Sequence, residues 1–203
     1  SGEFTNLPPA FFGEPRNIRS IIVADFDNDG NEEIFVNVYK KRNKMIRYLG
    51  NNEWEEISIG ELACHDFCAT GAAIGDLTGN GFLDIFMSSD GSNQENKLFF
   101  GVANKNKWLR IQPLTQKGFP ALGAKVRVFC KQARHQTKFI CSGSGYLCQM
   151  EPVAHFGFGP KDPEIDYVEI TWPGNGLHEP VKTKILGETF KLKTFVKIPH
   201  PKS

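Results

Sequence analysis

Apolar positions fall in short β-branched and aromatic runs that stop at Gly, Asn, Asp or Pro. No stretch of about twelve residues holds the three-and-four apolar spacing of an amphipathic helix. The pattern predicts an all-β chain. One segment recurs: Ile21-Ile-Val-Ala-Asp-Phe-Asp-Asn-Asp-Gly-Asn-Glu-Glu-Ile-Phe-Val36 precedes Ala72-Ala-Ile-Gly-Asp-Leu-Thr-Gly-Asn-Gly-Phe-Leu-Asp-Ile-Phe-Met87 by 51 positions. Each copy reads as strand, polar loop, strand. A period near 50 residues suits the four-stranded blades of β-propellers, and two copies cannot close a ring. The expectation is a partial propeller, or two blade-like sheets whose edges the rest of the chain covers.

From Lys107 the runs lengthen. Strands are predicted at Trp108–Ile111, Ala124–Lys131, Thr137–Cys141, Tyr167–Trp172, Val181–Ile185 and Phe190–Ile198. Glycine and proline clusters at Gly118–Gly123, Gly143–Gly145, Gly157–Pro160 and Pro173–Gly176 separate them, as in a β-sandwich. The predicted division is 1–103 for the two repeats and 104–203 for the second domain.

The repeated loops carry the chemistry. Asp25, Asp27, Asp29 and Glu33 occupy positions 1, 3, 5 and 9 of a tight turn, Gly30 allows the reversal, and the Asn31 carbonyl fills position 7. Calcium takes six to eight such hard oxygens. An EF-hand would need Glu at position 12 and flanking helices, whereas Val36 and strands stand there. Four carboxylates in nine residues repel one another without a cation. In the second loop Asp76, Thr78, Asn80, Phe82 (by its carbonyl) and Asp84 take the same places with two carboxylates, so weaker binding is expected.

Charge separates the halves. Residues 1–103 hold 8 basic and 16 acidic residues, net −8, and residues 104–203 hold 16 and 7, net +9. Cations suit the first half and polyanions the second. No apolar run approaches the roughly 20 residues of a membrane span, and Ser1-Gly2-Glu3-Phe4 lacks the marks of a leader, so the chain is expected to be mature or cut from a longer one. Neither nucleic-acid binding nor membrane insertion is expected. The 5 cysteines point to an oxidising compartment. No nucleophile elbow, Walker loop or His-Glu-x-x-His is present, and His155 reads as structural, so no enzymatic activity is expected. Cys64-His-Asp-Phe-Cys68 lacks the second ligand pair of a structural zinc.

A hairpin turning at Arg134–Thr137 places Cys130 opposite Cys141, within disulfide reach. The same register sets Lys125, Arg127 and Lys131 outward with Lys138, and Arg134 at the turn. A second hairpin closing at Leu186–Thr189 opposes Lys184 to Lys191 and Lys182 to Lys193. Like charges so opposed favour an anion between them, and a sulfated glycosaminoglycan is the expected class. The alternative is that these lysines discourage edge-to-edge aggregation.

Both acidic loops resemble the FG-GAP calcium loops of integrin α-subunit propellers. Asn106-Lys-Trp-Leu-Arg110, Gly123-Ala-Lys-Val-Arg-Val128, Gly143-Ser-Gly-Tyr-Leu147, Val153-Ala-His-Phe-Gly157 and Val168-Glu-Ile-Thr-Trp-Pro173 resemble the ASPIC/UnbV domain. FG-GAP repeats followed by that domain resemble the cartilage acidic protein family. The resemblance implies a secreted, calcium-binding protein of extracellular matrix or cell adhesion, with a receptor or matrix component as partner. It also implies antagonism of cell-surface receptors in nervous tissue. The competing class is a glycan-binding module, either a lectin using exposed aromatics or a binder of sulfated polyanions through the basic half.

Overall fold

A computed structural model describes residue 2 and residues 17–91, 93–141, 143, 145–174 and 179–201. They form 14 strands and two short 3₁₀ turns, Gly60–Ala63 and Gly187–Thr189, and the chain is all-β. Strands β1 (Ile18–Ala24), β2 (Glu33–Val38), β3 (Lys44–Gly50) and β4 (Glu53–Ile57) make an antiparallel meander. Strands β5 (Ala69–Gly75), β6 (Asp84–Ser89) and β7 (Lys97–Phe99) make a second sheet. No closed ring of blades is formed among the described residues.

Period-two alternation explains these strands. Along β1, Ile22 and Ala24 point inward while Ile21 and Val23 are exposed. The neighbouring β2 is covered on both faces. Phe35 joins Ile22, Met45, Ile85 and Met87 in a core shared by the two sheets. Val36 and Val38 meet Ile46 in a smaller cluster beside Trp54. Each acidic loop is therefore the connection between two antiparallel strands that line this core, β1 to β2 and β5 to β6.

The second half has two sheets. One runs β10-β9-β12-β13, from β9 (Lys125–Cys130), β10 (Gln136–Phe139), β12 (Ile165–Trp172) and β13 (Val181–Leu186). The other runs β11-β8-β14, from β8 (Lys107–Pro113), β11 (Ala154–Gly159) and β14 (Thr194–Ile198), and β14 lies parallel to β8. Leu109, Ile111 and Phe156 of the smaller sheet meet Val126, Val128, Val168, Ile170 and Trp172 of the larger one in one core. Truncating a fully buried aromatic such as Phe156 would cost about 3–5 kcal/mol.

Three expectations are corrected. Ala154–Gly159 is a strand, although its glycines read as a turn. The β9–β10 ladder pairs Gln136 with Val128 and Phe139 with Lys125. Cys130 is therefore not brought beside Cys141, and both are free thiols, one buried and one exposed. The β13–β14 hairpin does not form, because β13 pairs with β12 while β14 crosses to the other sheet. Lys184 and Lys182 thus do not oppose Lys191 and Lys193. The physical reason is burial: Phe190, between β13 and β14, sits in the sandwich core and turns the chain across it.

Candidate metal centre

The first loop folds around its own carboxylates. Asp25 accepts backbone N–H bonds from Asp29 at 3.1 Å and Gly30 at 2.9 Å, Asp27 accepts one from Asp29 at 3.0 Å, and Asp29 accepts one from Asn31 at 2.7 Å. These bonds turn the chain tightly enough that carboxylate oxygens of Asp25, Asp27 and Asp29 all lie within 4.8 Å of one another. Asp25 is only 2 % exposed. Burial, then the nearby carboxylates of Glu33, Asp29 and Asp27, push its carboxyl up to about 7, against an opposing bond from the Gly30 amide.

Glu33 is not part of that cluster. Its oxygens accept Phe26 N–H at 3.0 Å and the Arg47 guanidinium at 3.1 Å, and Arg47 also pairs with Asp27. Burial raises the Glu33 carboxyl as well, opposed by the Phe26 amide and Arg47. Asn31 is exposed.

The second loop repeats the skeleton. Asp76 accepts Gly81 N–H at 2.9 Å as Asp25 accepts Gly30, and Asp84 accepts Leu77 N–H at 2.8 Å as Glu33 accepts Phe26. Asn80 accepts Phe82 N–H at 2.7 Å, as Asp29 accepts Asn31. The charge differs: Arg110 of β8 donates to Asp76 at 2.9 Å and pairs with Glu151, with the Arg110 and Asp76 side chains 4 % and 1 % exposed. The other Asp84 oxygen is taken by Gly101 N–H at 2.8 Å. Thr78 is exposed and Phe82 buried. The structure thus brings a protein cation to Asp76, a partner that sequence reading missed.

Backbone geometry shows why the two loops differ at position 4. Both need left-handed residues at positions 4 and 6, filled by Asn28 and Gly30 in one and Gly79 and Gly81 in the other. Asn28 brings a side chain. It is fully buried, donates to the Gly81 carbonyl at 2.9 Å, and meets His155 Nε2 at 2.6 Å. Because the Asn28 amide nitrogen is a donor, its oxygen is the acceptor and His155 Nε2 carries the proton.

Around Asn28 the loop seats on the second half. Gly159 N–H bonds the Asn28 carbonyl at 2.8 Å, and Asn104 and Asn106 both donate to the Asp27 carbonyl at 2.8 Å. A Cβ at Gly157 would stand 2.1 Å from Asp25 Oδ2, which is why β11 is glycine there. A Cβ at Gly81 would stand 1.7 Å from the Trp108 ring. A cavity of about 170 Å³ along this seam is lined by Asp25, Arg110, Lys138, Glu151 and His155. Burial, then Arg110 and Lys138, depress His155 to about 3.

The basic residues are redistributed. Lys125 and Arg127 face outward from β9, but Lys138 lies opposite Val126 on the other face and pairs with Glu32 of the first loop. Lys131 pairs with Glu164, and Arg134 lies exposed between β9 and β10. Lys182 and Lys184 lie on β13 beside Glu169, while Lys191 and Lys193 precede β14. All five cysteines are free, and among the described residues Cys64, His65 and Cys68 form no metal cluster. Among the described residues no helix is long and apolar enough to cross a membrane.

Residues 114–195 match the family model described as ASPIC and UnbV. Relatives named Cartilage acidic protein 1 are 41 % identical over 181 residues in Xenopus tropicalis, 39 % over 180 in Homo sapiens and 38 % over 180 in Mus musculus. Each alignment covers 84 % of this chain but only 27 or 28 % of the relative, so the chain spans under a third of their length. Residues 114–195 are accordingly similar to the ASPIC and UnbV family, and the chain is similar to Cartilage acidic protein 1 over 84 % of its own length.

Proposed function

We propose that this chain is a secreted, calcium-binding interaction module of the extracellular matrix, a binding rather than a catalytic protein. The observation that carries it is the convergence of Asp25, Asp27 and Asp29, with oxygens within 4.8 Å and one carboxylate buried. Hard oxygens held this close repel, and a divalent cation between them removes the repulsion. Asp25, Asp27 and Asp29 would hold the ion, which would supply charge neutralisation and rigidity to the loop. The repeated loop skeleton supports an FG-GAP reading of both loops, with the two sheets as blades of a longer propeller. The names of the relatives support a matrix setting, with an extracellular receptor or matrix component as partner.

Catalysis is disfavoured at His155, which at neutral pH is uncharged, buried and committed to Asn28. Loop 2 takes calcium weakly or not at all, since Arg110 already neutralises Asp76. Calorimetry with calcium should give one tight site, lost in Asp25→Ala and kept in Asn80→Ala. Absence of any calcium heat would remove the metal reading.

A further inference from the structure

The outward face of the β10-β9-β12-β13 sheet is an ordered lattice that follows from strand register. One cross-strand row reads Lys125, Thr171, Lys182, and the next reads Arg127, Glu169, Lys184. A third reads Phe129, Tyr167, Leu186. The two cation columns stand on either side of β12, two inter-strand spacings or about 10 Å apart. Four cations thus surround one carboxylate. Glu169 accepts from Lys182 at 2.8 Å and, less strongly, from Arg127 at 3.1 Å, which lowers its pKa. Lys125 and Lys184 have no carboxylate partner among the described residues.

The aromatic row adds to this polarity. Phe129 and Tyr167 stack with centroids 4.3 Å apart, Arg127 lies 4.7 Å from the centroid of the Phe129 ring, and the Lys184 ammonium lies 3.5 Å from that of Tyr167. Ring faces are negative and edges positive. Since the faces are covered by each other and by cations, what remains for a ligand is ring edge and excess positive charge.

We propose that this sheet face binds a sulfated polysaccharide chain. Charge complementarity calls for an anion, and the middle of the lattice selects its class. The Glu169 carboxylate and the Thr171 hydroxyl between the cation columns offer acceptors, so the ligand carries hydroxyl donors between its anionic groups. A sulfated sugar chain has both, whereas a phospholipid surface presents dense negative charge to Glu169. An extended acidic peptide is better served by a sheet edge than by a sheet face. The inference deepens the matrix reading by naming a partner class, and it stands apart from the calcium site, which lies in the other half.

The test is retention of the full chain on immobilised heparin in calcium, with a salt gradient. Lys125→Glu with Lys184→Glu should weaken heparin binding about tenfold or more and elute at markedly lower salt. Lys191→Glu with Lys197→Glu makes the same change in net charge away from this sheet and should elute near wild type. Circular dichroism melts of both double variants establish that each is folded. Unchanged retention of the face variant, or equal loss in both variants, overturns the assignment. So does equal binding of polyglutamate or phosphatidylserine vesicles in place of heparin. Failure here with calcium heat intact removes only the glycan surface, and the converse removes only the metal reading.

Discussion

The two acidic loops have the same hydrogen-bond skeleton and different sources of positive charge. In both, position 1 accepts the amide of position 6 and position 9 accepts the amide of position 2. Loop 1 clusters three carboxylates, and Arg47 pairs with one of them, Asp27, and with Glu33 outside the cluster. In loop 2, Thr78 and Asn80 replace Asp27 and Asp29, and Arg110 reaches Asp76 from β8. The difference teaches that the fold can bring a cation of its own to the first carboxylate of such a loop. In loop 2 that cation also ties the loop to β8 of the second half.

The largest expected effect breaks loop 2. Arg110→Met keeps the stem and removes the guanidinium, leaving Asp76 buried beside Glu151 without compensation. Losing one partner of a buried pair costs about 3–5 kcal/mol, and chemical denaturation should show a loss of that order. A loss under about 1 kcal/mol would mean that Asp76 needs no cation, and the contrast between the loops would fall.

A smaller effect is expected from loop 1's seat. Gly157→Ala drives a methyl toward Asp25 Oδ2 and the Asn28 backbone, and overpacking of this kind costs about 1–3 kcal/mol. Because the displaced group is a proposed ligand, calcium affinity should fall with stability. An unaltered calorimetric titration in a destabilised Gly157→Ala protein would show that the seat and the ion site are independent.

Chelation sharpens the comparison further. Calcium at a hundred times its dissociation constant would stabilise the wild type by about 2.7 kcal/mol. That increment should vanish in Asp29→Asn, which keeps the oxygen that accepts Asn31 N–H but removes the charge. It should survive in Thr78→Ala. Equal sensitivity of both variants would return loop 2 to the status of a second calcium site.

What could be read from sequence was local. Asp25, Asp27, Asp29 and Gly30 lie within one turn, so their convergence is written in their spacing, as is the copy at Asp76–Asp84. The strand alternation of β9 and β12 was equally legible. Arg110 was not, because it reaches Asp76 across 34 positions and nothing near it in sequence is acidic. Asn28 was not legible either, because its amide joins the two loops and His155 only in the fold. The lysine lattice was split between two imagined hairpins. Sequence showed Lys182 and Lys184 alternating, but which strand they would face depended on β14 crossing the sandwich, a long-range choice made by burial of Phe190.

The effect smallest per step is one of pH, spread over several units, and it tests whether loop 1 without its ion stores repulsion. Burial and neighbouring acids raise Asp25 from 3.8 to about 7 in the folded protein. Between those values the folded state holds the extra proton, so this group's contribution to stability falls as pH rises. His155 acts in the opposite sense. Its folded value is about 3 against an ordinary 6.5, so the unfolded state holds the extra proton in that window and stability rises with pH. From about pH 4 to 6.5 the two nearly cancel, and their joint contribution in chelator should be almost flat. His155→Gln keeps an N–H donor for Asn28 and removes one titration. In chelator, the Asp25 titration should then make the variant itself lose stability as pH rises from about 4 to 7, by at most roughly 1.4 kcal/mol per unit. Saturating calcium should suppress that slope, because the ion holds Asp25 ionised. A variant whose pH profile runs parallel to wild type in chelator would show that His155 does not offset Asp25. A slope that persists in calcium would show that the ion does not reach Asp25.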